Sequence, residues 1–406
     1  MSQQKKSKII YLDHAATTYI DPRVKEAMDP YFEDVYGNPG SLHQIGLRAR
    51  EVIDKSKETI AKIINCQSKE IIFTSGGTES INLAIKGVAF RKGEGHIITS
   101  KIEHPAVLET CHYLEQKGFK VTYLEVDNNG LIDPKELEKA ITKETILITI
   151  MYANNEIGTV EPIKEIGEIA KKHKIIFHTD ACQAAGALDL DVKKINVDLM
   201  TLNGSKIYGP KGVGILYKSA DVKLEPLIHG GGQEFGLRSG TENVPGIIGF
   251  TKALELSQTE KEIENIRLIK LRDYLIKELL EKIPKSFLNG HKTKRLPNNV
   301  NISFLDVEGE SILLYLDQKG VEISTGSACS SQKLEVSHVL DAIGLIHDAA
   351  HGSIRFTLGH RTTKEDLDYT VMVLKEIIEN LRRISPIKVR MEDIRNKSVE
   401  SSSDHH

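Results

Sequence analysis

At 406 residues, 40% hydrophobic and 27% charged, with a formal net charge of −3, the chain has the make-up of a soluble globular protein of one large or two ordinary domains. That charge balance leaves no electrostatic footprint for nucleic acid, and no apolar run is long enough to cross a bilayer, so neither nucleic acid nor membrane is expected as a partner. The apolar residues after the basic start at 1–8 are too few for a signal-peptide core, which points to a cytoplasmic protein. Four cysteines (Cys66, Cys111, Cys182 and Cys329) stand far apart without a CxxC, so each is read singly and no disulfide framework is expected.

In chain order, residues 9–14 read as a strand ending in Asp13-His14, and Asp21-Pro22 reads as a helix start. A turn cluster at 36–41 leads into a helix over 41–64. Residues 70–74 form a strand and 75–80 a tight Ser-Gly-Gly turn, with a helix opening at 81. Strand, glycine turn and helix start together make an anion cradle of bare N–H groups; the motif is neither a dinucleotide fingerprint nor a P-loop. Strands then alternate with helices: strands at 96–100, 121–124, 145–151 and 175–179, helices from 103, 133 and 162. Near-continuous apolar strands in βα alternation predict a mainly parallel sheet covered on both faces, with its ligand at the carboxyl ends of the strands. Gly77-Thr78, His104, Asn155, Asp180 and Lys206 all fall just past such ends.

Lys206 sits on the loop Asn203-Gly204-Ser205-Lys206 between two β-prone runs, 197–202 and 213–217. A lysine held there is a candidate carrier of an aldehyde cofactor as a Schiff base; Lys211 is its immediate rival. Farther on, a helix is expected at 259–283 with the stripe Leu268, Leu271, Leu275 and Leu279, stopped by Pro284. Strands follow at 299–304, 321–323 and 351–356, then a capping box at 362–365 opening a helix striped with Leu367, Val371, Leu374, Ile378 and Leu381. From Ser385 the chain turns polar and reads as a mobile tail.

An anion cradle, a carboxylate at a strand end and a lysine on the next loop meet the needs of pyridoxal 5'-phosphate. Asp180 suits the ring nitrogen, Gln183 the ring hydroxyl, and His104 the ring face or proton transfer. Taken singly, Asp180 is equally a helix cap and His104 a turn filler. Cys66, Cys111 and Cys182 read as inert packing, whereas Cys329 lies in a loop of small residues and suits attack on sulfur. His178 and Cys182 are four apart, but Asp180 between them has a better-motivated role, and no metal site is assigned.

The segments Thr74-Ser-Gly-Gly-Thr-Glu-Ser80, Glu103-His-Pro-Ala-Val107, Asn154-Asn-Glu-Ile-Gly158, Lys206-Ile-Tyr-Gly-Pro-Lys-Gly212, Arg238-Ser-Gly-Thr241 and Ser327-Ala-Cys-Ser330 closely resemble the cysteine desulfurases of the IscS/NifS group, in order, from residue 11 to 386. The resemblance implies a fold-type I, pyridoxal-phosphate-dependent α/β transferase working as a homodimer. Its large domain (15–258) has a mainly parallel seven-stranded sheet. Its smaller α+β domain (1–14 and 259–385) carries the Cys329 loop, and 386–406 is a polar tail. It implies Lys206 as the Schiff-base lysine, Asp180 on the ring nitrogen, His104 stacked on the ring, Gln183 on the ring oxygen, and Gly77 with Thr78 on the phosphate. Asn155 and Arg355 grip the substrate carboxylate, and Thr241 reaches the phosphate from the other subunit. Cys329 takes sulfur from L-cysteine as a persulfide, leaving L-alanine, for a sulfur acceptor such as an iron–sulfur scaffold. Selenocysteine lyase, another class V aminotransferase and a non-catalytic scaffold are the rival readings. The chain departs from the family where Ser-x-His-Lys is usual: here Asn203 and Ser205 precede Lys206 as cofactor-binding residues, and the imidazole is missing.

Overall fold

A computed structural model describes residues 9–325, 336–386 and 388–395. Its strands, in chain order, are β1 (Ile10–Tyr11), β2 (Ile71–Thr74), β3 (His96–Ser100), β4 (Lys120–Leu124), β5 (Thr145–Thr149), β6 (Ile176–Asp180), β7 (Leu199–Asn203), β8 (Gly214–Lys218), β9 (Ser286–Leu288), β10 (Asn299–Phe304), β11 (Val321–Glu322) and β12 (Ser353–Thr357). Seven of them make one sheet in the order β2-β8-β7-β6-β5-β3-β4. Only β8 runs against its neighbours; the β3–β4, β3–β5, β5–β6 and β6–β7 pairs are parallel.

Period-two alternation sends successive side chains to opposite faces of this sheet. Ile71, Phe73, Ile98, Ile148, Met200 and Ile215 enter one apolar core. Their neighbours Ile72, Ile97, Leu147, Leu199 and Leu216 enter the core on the other face. Two buried faces are why these strands read as unbroken apolar runs. A three-stranded antiparallel sheet, β12-β10-β9, and the parallel pair β1–β11 surround a further core around Leu275, Phe304, Phe356 and Leu374.

Four features differ from the sequence expectations. The first helix after β2 begins at Gly77, inside the expected turn, so Gly77 and Thr78 are its first residues. The long helix runs Val244–Lys282 rather than from 259; Pro245 occupies its first turn, where a missing N–H costs nothing, and Asn243 caps it. The cap of the helix Lys364–Ile384 is Thr363 paired with Asp366, one residue on from the expected box. Residues 388–395 are packed, not a mobile tail: Val389 is buried against Leu305 and Ala349, its N–H reaches Asp306 Oδ1 at 2.7 Å, and Ile346 N–H reaches the Ile394 carbonyl at 3.0 Å.

Candidate active site

Past the carboxyl ends of β2, β3, β5, β6 and β7 lies a cavity of about 350 Å³. Gly77, Thr78, His104, Asn155, Asp180, Gln183, Asn203, Lys206 and Arg355 all line it. The turn after β2 delivers the amino end of the helix Gly77–Lys92, whose first N–H groups have no partner within the helix. Gly76 bends the chain there at φ +149°, a conformation open to glycine. A Cβ on Gly77 would lie 3.0 Å from Cys182 Sγ, so bare backbone faces the cavity. Arg238 Nε donates to Glu79 Oε1 at 2.9 Å, tying the segment that leads to Thr241 onto this helix.

Beneath the cavity floor, β6 ends in His178-Thr179-Asp180. Asp180 is 8% exposed, and its Oδ1 accepts the Cys182 N–H at 2.9 Å. His178 is wedged between hydroxyls, Nδ1 at 2.8 Å from Thr149 and Nε2 at 3.0 Å from Thr201, and burial drives its pKa down to about 4. It is a neutral strut, not a ligand. Burial first, and then the Asp180 charge, pushes the Cys182 thiol well above its usual range, which makes it inert packing.

Lys206 follows β7 on a single 3₁₀ turn, Gly204–Lys206. Its Nζ donates to the carbonyls of Ala15 at 2.9 Å and Ala16 at 2.5 Å. The turn is pinned from the same segment: Thr18 N–H and Oγ1 both donate to the Ser205 carbonyl, at 2.9 and 3.1 Å, and Thr18 Oγ1 accepts the Tyr208 N–H at 2.9 Å. Tyr208, at φ +61°, is held in the left-handed region by these bonds and by stacking on His360 at 3.8 Å. Lys211 is exposed and lies outside the cavity.

Arg355, 3% exposed, comes from the middle of β12. It donates to Asp13 Oδ1 at 2.8 Å and to the Asn155 carbonyl at 3.0 Å, and its buried Nε has no partner among the described residues. His104 caps the helix Pro105–Glu115, its Nδ1 accepting the Ala106 N–H at 3.0 Å; burial lowers its pKa, against the Asp180 charge. Neighbouring Glu103 is buried and pushed up to about 8 by desolvation; its Oε1 accepts from Ser100 Oγ and Met151 N–H at 2.8 and 2.9 Å.

Three residues of the expected constellation stand apart. Ser205 is buried beside the cavity, with its N–H 3.3 Å from Asn203 Oδ1. Thr241 is exposed and does not line the cavity. Cys329 lies outside the described residues. Gln183 lines the wall, but its Nε2 donates to the Ala15 carbonyl at 3.0 Å. Sequence reasoning missed the two carbonyls of Ala15 and Ala16, which no side-chain pattern announces. It also missed His338, which lines the same cavity, although Ser337 before Val339-Leu340 is a legible helix cap.

These residues fit pyridoxal phosphate. The Gly77 backbone leaves room for an anion at a helix amino end, Asp180 offers a buried carboxylate, and Lys206 offers an amine, all lining one cavity. A larger hollow of about 870 Å³ opens at the other end of the strands, lined by Arg91, Lys92, Lys171, Lys174, Lys193 and Lys223, and has no such convergence.

Similarity to known proteins runs along nearly the whole chain. The aminotransferase class-V family matches residues 10–370. A cysteine desulfurase IscS of Dictyoglomus turgidum is 58% identical over 93% of this chain and 97% of its own length. One of Methanosarcina thermophila is 54% identical, over 94% and 95%. A solved NifS-like protein superposes with a TM-score of 0.87 at 40% identity, over 92% of this chain and 100% of its own.

Proposed function

The chain belongs to the class-V aminotransferase family, among its cysteine desulfurases, and from that premise we propose that it strips sulfur from L-cysteine and hands it to a sulfur acceptor for iron–sulfur cluster assembly. The observation that carries this reading is the meeting of Lys206, Asp180, Arg355 and the helix start at Gly77 around one cavity. Bound there, pyridoxal phosphate supplies an electron sink for the substrate's α-carbon.

The protein's own groups divide the rest. The helix start at Gly77-Thr78 takes the phosphate, with Asn203 and Ser205 beside it, and Gln183 serves the ring oxygen. Asp180 keeps a negative charge against the ring nitrogen. Lys206 holds the cofactor's aldehyde carbon. Arg355, already oriented by Asp13 and the Asn155 carbonyl, grips the amino acid carboxylate with a fork that suits it. His104 covers the ring and moves protons. Cys329 accepts the sulfur: L-cysteine and the Cys329 thiol give L-alanine and a Cys329 persulfide, with every atom accounted for. Two copies of the chain form the working unit, in which Thr241 of each reaches the other's phosphate.

Incubating the purified enzyme with L-cysteine tests the reading. Alanine should form in step with sulfane sulfur. Cys329→Ala should keep the cofactor and lose at least ~100-fold in rate, the scale of removing a covalent catalyst. Lys206→Ala should lose the lysine-linked absorbance. Alanine formation undiminished in Cys329→Ala would rule the proposal out.

A further inference from the structure

His338 is the one histidine on the cavity wall that the scheme above leaves without a task. It opens the short helix His338–Ala342 and is half-buried. Ser337 before it is fixed twice: its hydroxyl donates to the buried Glu156 Oε2 at 2.5 Å and accepts the N–H groups of Val339 and Leu340 at 3.2 and 3.4 Å. His338 Nε2 lies 2.9 Å from the carbonyl oxygen of Glu103. The residue is thus held against the two loops that carry Asn155 and His104.

The partners fix the ring's proton. A carbonyl oxygen can only accept, so Nε2 of His338 carries hydrogen in both charge states, and the neutral ring keeps its lone pair on Nδ1. His104 is wired in the opposite sense. Its Nδ1 accepts a backbone N–H, so neutral His104 carries its hydrogen on Nε2. Across one cavity stand an imidazole with a donor left to offer and an imidazole with a lone pair left to offer. The titratable and charged groups around His338 are His104, Glu103 and Glu156 on the loops it touches, and Asp180, Lys206 and Arg355 around the same cavity. In the scheme above Lys206 is committed to the cofactor's aldehyde and Asp180 to its ring nitrogen.

We propose that His338 is the proton acceptor for the incoming amino acid: its Nδ1 takes a proton from the substrate ammonium, so that the free amine can react. An N–H bond of the substrate breaks and an Nδ1–H bond forms. The positive charge passes to the imidazolium, and the proton then leaves to water. The assignment rests on the desulfurase reading and adds a residue that no resemblance named.

Mixing the full-length holoenzyme with L-cysteine in a stopped-flow instrument, and following the first absorbance change of the bound cofactor, tests it. His338→Gln keeps an amide donor for the Glu103 carbonyl but has no basic nitrogen. The resting spectrum should match wild type, while the first absorbance change at neutral pH slows about 100-fold, in the range of a lost general base, and recovers in part with added imidazole. A wild-type rate in His338→Gln overturns the proposal, and so does a slow variant with an altered resting spectrum and no imidazole rescue. Histidine labelled with ¹⁵N gives a check independent of turnover. The His338 signal, assigned by its loss in the variant, should show Nε2–H and a bare Nδ1 in the neutral ring; a neutral ring protonated at Nδ1 overturns the assignment. A wild-type enzyme that shows no change with L-cysteine but keeps this tautomer would instead sink the desulfurase reading beneath it, and the proposal with it.

Discussion

Ser205 stands just before Lys206, where the resemblance to cysteine desulfurases calls for an imidazole, and its main-chain carbonyl is already committed to Thr18. A hydroxyl donates one neutral hydrogen bond, where a protonated imidazole donates a charge-assisted one, roughly twice as strong. Ser205→His is therefore expected to retain pyridoxal phosphate longer, by about tenfold, or about 1.4 kcal/mol. Parallel dialysis with the bound-cofactor absorbance followed checks this, and equal retention in the two proteins would refute it. At this scale the sequence was informative wherever function rests on a side chain at a strand end: His104, Asn155, Asp180 and Lys206 were each placed by that rule, and each lines the cavity. It was mute where function rests on backbone. Ala15 and Ala16 have nothing in their side chains to mark them, yet their carbonyls hold Lys206 Nζ.

Among the elements, the segment leading to Thr241 is the most strained. Glu234 and Phe235 both lie in the left-handed region, at φ +48° and +58°. A buried ion pair holds them: Lys57 Nζ is 2.9 Å from Glu234 Oε2, with side chains only 7% and 2% exposed, and the same oxygen accepts the Phe73 N–H at 2.8 Å. Removing the lysine leaves a carboxylate buried and unpaired. Lys57→Met should lose about 3–5 kcal/mol, the usual cost of breaking such a pair from one side. Urea unfolding measures this, and a loss below about 1 kcal/mol would mean that the pair is not what holds the turn. Sequence patterning erred at this scale in a consistent way. It read the long helix from its leucine stripe and started it at 259, although proline in a first turn and a capping Asn243 favour a start at Val244. It marked 388–395 as tail because their polarity hides the one buried anchor, Val389.

For the molecule as a whole, two buried titrating groups set opposite limbs of stability. His178 has its folded pKa depressed to about 4, below the ordinary 6.5 of the imidazole. The unfolded chain takes up that proton first, so stability present above 6.5 is lost as pH falls toward 4, by about 3 kcal/mol in all. Glu103 has its folded pKa raised from 4.5 to about 8. The unfolded chain sheds that proton first, so stability present below 4.5 is lost as pH rises toward 8. Between pH 4.5 and 6.5 the two opposite slopes offset each other, so unfolding free energy measured from pH 4 to 9 should be level there and fall from 6.5 toward 8. His178→Gln should extend the fall down to 4.5, and Glu103→Gln should uncover a rise up to 6.5; profiles unchanged in the variants would show that these groups do not govern them.

The contacts that complete the cavity join parts of the chain far apart in sequence. Asp13 orients Arg355 across 342 residues, β1 pairs with β11 through Ile10 and Val321, and Ala15 and Ala16 meet Lys206 across about 190. A ribosome making this protein releases the first of these partners long before the last. The large sheet can assemble while synthesis continues, since its strands are finished by Lys218. The Asp13–Arg355 contact must wait until β12 has cleared the exit tunnel, because before then Asp13 has no arginine to hold. A growing chain therefore holds the sheet before the cavity is whole: the pocket is complete only once this later-made strand has joined Asp13.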